Sequence, residues 1–208
     1  MLRNSETRFG LVTIVLHWTI AVLIFGLILI GFVMRRVEID PALQFSLYQW
    51  HKSFGFTALG LALLRAIWWL VERNPSPVPS LSPLERKASR VTHDTLIALA
   101  IVVPLAGWAI ASTSTLDIPS FYFNVMVIPH LPLAKSEASE NFWIFVHALL
   151  AYVTLGLAAI HAAAALYHHF MRRDAVLTRM LGSGAPSSGM GARGAQKRDD
   201  IVVRRNDQ

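Results

Sequence analysis

The sequence of 208 residues contains no cysteine, which excludes disulfides, thiolate metal sites and covalent attachment through Cys-x-x-Cys-His. Charge is scarce: Asp, Glu, Lys and Arg make up 15% of the chain against 54% hydrophobic residues. No carboxylate falls inside any of the long apolar runs. Walker and Rossmann glycine patterns are missing, and no internal repeat is evident. What remains is a membrane composition.

Crossing the hydrocarbon takes about 20 apolar residues in a helix. Four segments approach or exceed that length: Phe9 to Met34, roughly Leu47 to Val71, Leu96 to Thr113, and Phe142 to Tyr167. The sequence therefore predicts an all-α integral membrane protein, a four-helix transmembrane bundle over 1–181. The first run lacks a small-residue cleavage site and is too long for a signal core, so it is expected to be a retained span. The segment 182–208, rich in Gly, Ser and charge, reads as a disordered cytoplasmic tail.

Arg3, Arg8, Arg73, Arg86, Lys87, Arg90, Arg172, Arg173 and Arg179 flank the spans on one side, against Arg35, Arg36, Lys52 and Lys135 on the other. The positive-inside rule then puts both termini in the cytoplasm. The formal charge of +6 fits orientation and contact with anionic headgroups rather than nucleic acid. Between the second and third spans, "NPSPVPSLSP" cannot be helical throughout. On the other side, "SEASENF" has the serine and glutamate spacing of a helix start.

Histidine is the chemistry-bearing residue inside the apolar runs. An intramembrane ionisable group points to function, because hydrocarbon gives it no water to bond. His147 and His161 are 14 residues apart, which leaves them within about 40° on one helix face and roughly 21 Å apart along the axis. Each finds a partner at its own depth: His51 opens the second span beside His147, and His17 matches His161. Two imidazole pairs on facing helices, one near each leaflet, are what two stacked, axially ligated haems require. With both axial positions taken, such an iron favours electron transfer over oxygen chemistry. Zinc would ask for three or four close ligands, and proton relays commonly use intramembrane carboxylates, which these spans lack. Packing through hydrogen bonds remains the ordinary role of a single membrane histidine.

Other polar residues are less determinate. Arg65 follows His51 by the same 14 residues and so sits at the depth of His17 and His161. It calls for an acceptor, a haem propionate or a quinone carbonyl, or else snorkels to the surface. His93, next to Asp94 and one turn after Arg90, is expected to be shallower than His17 and to contact a propionate or quinone rather than iron. His168 shares the face of His161, whereas His169 reads as an interfacial anchor. Gly26, Gly31, Gly55, Gly60 and Gly156 can admit flat macrocycles or simply close helix packing.

Several motifs together resemble the bacterial cytochrome b561 family: "LHW" at Leu16 to Trp18, "WHKSFG" at Trp50 to Gly55 with Arg65 downstream, His93 followed by "PLAG" from Pro104, and "HAAAALYHH" from His161 to His169. The resemblance implies an inner-membrane, multi-pass cytochrome holding two b haems on His17, His51, His147 and His161, in the pairs His17/His161 and His51/His147, and exchanging electrons with ubiquinone. The most similar subgroup is the superoxide oxidase type, which takes electrons from superoxide outside and delivers them to ubiquinone; there the histidine matching His168 is associated with the quinone end. Lys52, beside His51, is the candidate for steering the anion. Related cytochromes serve instead as electron-relaying membrane anchors for a soluble dehydrogenase or hydrogenase, and that is the alternative.

Overall fold

A computed structural model describes residues 1–73, 75–78 and 80–182; the expected tail lies outside them except for Gly182. Four long helices, α1 (Leu11–Arg36), α2 (Pro41–Val71), α3 (Pro83–Thr113) and α4 (Glu137–Tyr167), are each long and apolar enough to cross a membrane. A π turn (His168–Arg172) and the short α5 (Val176–Met180) follow. The chain is a multi-pass helical membrane bundle, with apolar side chains such as Val22, Leu29, Leu70 and Ile160 turned outward as lipid requires.

Three of the helices start before the apolar runs do, because their ends are set by caps rather than hydropathy. The Asp40 carboxylate accepts from the Ala42 and Leu43 amides, with Pro41 in the first turn. Ser82 and Glu85 form a reciprocal capping box in front of α3, which ends the proline-rich loop. Ser136 caps α4 through the Ser139 amide. Such caps satisfy N–H groups that the first turn would leave bare.

The buried residues are mostly small or aliphatic: Ile20, Ala62 and Ala100 form one cluster, and Ala58, Ala106 and Ala109 are also buried. Small residues let helices approach closely in lipid. Helix α1 packs on α2, α2 on α3, and α3 most extensively on α4, whereas α1 and α4 barely meet.

Between α3 and α4 an antiparallel hairpin, β1 (Ser120–Tyr122) with β2 (Met126–Ile128), lies over the end of α2. Ser53 anchors it: its hydroxyl donates to the Phe121 carbonyl at 2.9 Å and accepts from the Phe123 amide at 3.0 Å. Phe123 has a left-handed φ of 48°, a strained choice for a bulky residue. It is held by that bond and by edge contacts with Trp50 and Phe54. We call this the hairpin side, and the one carrying both ends of the described chain the terminal side.

Candidate functional site

Two groups of histidines lie inside the bundle. On the hairpin side His51 of α2 faces His147 of α4, with ring centroids 6.1 Å apart and planes at 78°. Deeper toward the terminal side His17 of α1 faces His161 of α4 at 6.2 Å and 70°. Two imidazole nitrogens each about 2 Å from a shared metal place their ring centroids about 6 Å apart. The pairs thus have the spacing of axial ligands, and they bridge helices that are not in tight contact with each other.

The surroundings of His147 are built for one ring orientation. Its Nδ1 lies 2.9 Å from the Val103 carbonyl, which leaves Nε2 for a metal, the usual division of labour in a ligating imidazole. A Cβ at Gly107 would stand 3.2 Å from His147 Cε1 and 3.3 Å from Nδ1, so glycine is what admits the ring. Gly31 meets His51 in the same way, less tightly, at 3.4 Å. A Cβ at Gly26, Gly55, Gly60 or Gly156 would meet no described atom within 4 Å, leaving flat surface that a macrocycle or a lipid chain can cover.

The inner group draws on all four helices and differs from the sequence expectation at one point. His93 is not shallow: its ring centroid is 5.0 Å from that of His161, nearer than His17. Asp94 and Arg90 are exposed on the outside of α3 and made this turn look superficial, but His93 is on the inward face. Its Nδ1 is bonded to the Ser89 carbonyl at 2.7 Å, so His93 too is oriented with Nε2 free. Arg65 acts electrostatically on His17, His93 and His161. Its Nη1 is buried with no hydrogen-bond partner among the described residues, beside a small cavity lined by Asn4, Thr13, Leu16, Trp68 and Trp69. An orphaned buried guanidinium nitrogen fits an anionic acceptor such as a propionate. Among the described residues no three His, Asp or Glu side chains form a group that could hold a bare metal ion.

Two further residues have partners that sequence reasoning missed. Lys52 is not a free surface cation: its ammonium donates to the Pro119 carbonyl at 3.2 Å. His168 is largely buried and bonded to Asp174 at 2.7 Å rather than spread among headgroups. Nothing in the sequence pattern marks Asp174, because the reversal that brings it back runs through Arg173 in the left-handed region, φ 51°. On the hairpin side Asp117 bonds Lys135 at 2.5 Å and His130 at 3.3 Å, and Lys135 holds its carboxyl below the usual range.

Four apolar spans around paired intramembrane imidazoles define a helical membrane electron carrier. The sequence profile of prokaryotic cytochrome b561 matches residues 8–183, and the chain belongs to that family, whose members bind haem b and transfer electrons in the membrane. It is 29% identical over 188 residues to cytochrome b561 homolog 2 of Escherichia coli K12, covering 90% of this chain and 98% of that protein. It is 26% identical over 178 residues to a probable superoxide oxidase CybB of Yersinia pestis, covering 84% and 96% respectively. A shorter match, 31% over 110 residues, joins it to cytochrome b561 homolog 1 of E. coli K12, across 52% of this chain and 59% of that one.

Proposed function

We propose that this protein is a superoxide:ubiquinone oxidoreductase of the bacterial inner membrane, with two b haems, both termini in the cytoplasm and the hairpin side in the periplasm. The observation that carries the reading is the repeat of one ligand geometry at two depths, 6.1 Å on the hairpin side and 6.2 Å toward the terminal side. When bound, haem would supply a one-electron couple. The chain's own residues do the rest. His51 and His147 would hold the outer group, with Val103 and Gly107 fixing the His147 ring, and His17 and His161 would hold the inner one. Arg65 would receive its propionates or a quinone carbonyl, with the His93 ring alongside, and His168 would border the quinone.

The likeness to a protein named a probable superoxide oxidase supports the choice of donor. Lys52 still has two N–H groups beyond its bond to Pro119 and gives local attraction to an anion. In the balanced reaction two superoxide ions lose one electron each to become dioxygen, and one quinone gains two electrons and two protons.

The test begins with a reduced-minus-oxidised spectrum and haem quantitation on the purified chain, which should give about two low-spin haems per chain. The same preparation should then reduce ubiquinone from superoxide without any partner. A haem-loaded chain inert on its own would point to a relay subunit for a soluble dehydrogenase or hydrogenase.

A further inference from the structure

On the terminal side, His168, Asp174 and Ser80 form a hydrogen-bonded chain. His168 Nδ1 is 2.7 Å from Asp174 Oδ2, and the two side chains keep only 12% and 7% of their exposure. The same Oδ2 accepts from the Ser80 hydroxyl at 3.2 Å, and Ser80 is exposed. Asp174 Oδ1 accepts from the Val176 amide at 3.1 Å, while the Asp174 amide donates to the His168 carbonyl at 3.2 Å. The carboxylate is therefore fixed from several sides, with imidazole on one flank and a water-facing hydroxyl on the other.

We infer that Asp174 is a positioning residue for quinone reduction: it holds the Nδ1–H of His168, directs Nε2 toward the quinone, and with its charge favours the doubly protonated ring that donates from Nε2. This rests on the reading that His168 borders the quinone site. Reducing the quinone takes two electrons, supplied from the donor through the protein, and two protons; each C=O becomes C–OH and no heavy atom leaves. After the His168 ring gives up a proton from Nε2 it stays neutral with Nδ1–H on Asp174, and it takes the next proton from water at Nε2, a step the neighbouring carboxylate charge favours. Burial alone would raise the Asp174 carboxyl, but the bonds from His168, Val176 and Ser80 hold it below the ordinary carboxylate range, so it is an anion at neutral pH.

The charged groups around the pair are Glu85 on α3, Arg172 in the π turn and Arg179 on α5. Arg172 is taken up by Glu85 at 3.1 Å and by the Ser80 carbonyl at 2.7 Å, and Arg179 donates to the Ser76 carbonyl at 2.8 Å. Asp174 is thus the acidic partner in direct contact with His168.

The experiment uses the full-length haem-loaded chain in lipid nanodiscs, chemically reduced and then mixed with a soluble ubiquinone analogue from pH about 6 to about 8.5. The variants are Asp174→Asn, Asp174→Glu and His168→Ala. Asn can still accept from the Val176 amide but carries no charge to favour the protonated ring. Reoxidation of Asp174→Asn should fall roughly tenfold at the alkaline end and approach the unaltered rate at the acid end, with Asp174→Glu restoring most of it. Nitrogen NMR of the reduced, diamagnetic protein should show His168 protonated at Nδ1 and the Asn variant shifted away from that tautomer. If His168→Ala slows reoxidation while Asp174→Asn leaves rate, pH profile and tautomer unchanged, the inference is overturned and the quinone reading stands. If both variants react normally, the quinone binds elsewhere and both fall. A loss equal at every pH also overturns it, since that is what a purely structural role produces.

Discussion

His147 Nδ1 lies 2.9 Å from the carbonyl oxygen of Val103, across the tightest helix pair of the bundle. Through this contact α3, which contributes no histidine to the hairpin-side pair, sets the orientation of one of its rings. One helix offers the imidazole, the other fixes its rotation through a carbonyl and a missing side chain, and Nε2 is left free of that bond. Orienting contacts of this kind commonly matter nearly as much as the ligands themselves.

Gly107→Ala tests that arrangement. The added methyl would approach His147 Cε1 to 3.2 Å and Nδ1 to 3.3 Å, so the ring must shift by a few tenths of an ångström on the side that is bonded to Val103. Haem content should drop from about two toward about one per chain, with the remaining haem keeping its spectrum. An unchanged haem ratio would show that the ring has room to spare.

The two pairs should also be separable. His51→Ala or His147→Ala should remove one haem and spare the other, and His17→Ala should do the converse, because no side chain is shared between the pairs. Pyridine haemochrome quantitation on detergent-purified variants reads the outcome. Loss of both haems together with normal membrane insertion would argue against separate sites. His93→Ala is the informative companion: with its ring 5.0 Å from His161, it should alter the terminal-side haem spectrum without changing the haem count.

Much of this bundle was legible in the sequence because membrane spans and helical spacing are local properties. The apolar runs located four helices, and a separation of 14 residues placed His147 and His161 on one face. What stayed hidden depends on contacts between distant residues. The hairpin has three-residue strands and owes its place to Ser53, some 70 residues away. The charged neighbours of His93 suggest a surface turn, whereas on a helix successive residues face different directions. The partner of His168 depends on one left-handed residue, Arg173, that turns the chain back.

Orientation can be tested without any cofactor. A reporter fused after Gln208 should behave as cytoplasmic, and one inserted at Ser136, which begins α4 on the hairpin side, as periplasmic. The reverse result would exchange the two aqueous sides and place the donor at the terminal side, leaving the imidazole pairs as they are.

Acid should loosen the terminal side first. Asp174 has a depressed carboxyl pKa in the folded protein, so its contribution is fully present above the unfolded value of about 4 and is lost as pH falls through the folded one. The Asp174 carboxylate accepts from the Val176 amide at the start of α5, and the Met180 carbonyl at the end of α5 accepts from the Trp18 indole at 2.9 Å. Indole fluorescence, compared between the unaltered chain and Trp18→Phe, should therefore report release of α5 on acidification below pH about 4. Asp174→Asn should abolish that transition.

Arg65 offers the sharpest reading of the inner group. Its Nη1 is buried without a partner among the described residues, and its charge acts on His17, His93 and His161 at once. A fixed positive charge favours the electron-rich, reduced state of a nearby redox group. Replacing Arg65 with Gln should therefore lower the midpoint potential of the terminal-side haem by about a hundred millivolts, roughly what one charge several ångströms away exerts at an effective dielectric of about 20. The hairpin-side haem, about 20 Å further along the bundle, should move much less. Arg65→Lys keeps the charge but not the planar fork, so it should largely preserve the potential while weakening any bidentate hold on a carboxylate. Redox titration of the three proteins separates these effects. If Arg65→Gln left both potentials unchanged, the guanidinium would have to be turned toward the surface in the loaded protein, and neither a propionate nor a quinone carbonyl would be its partner.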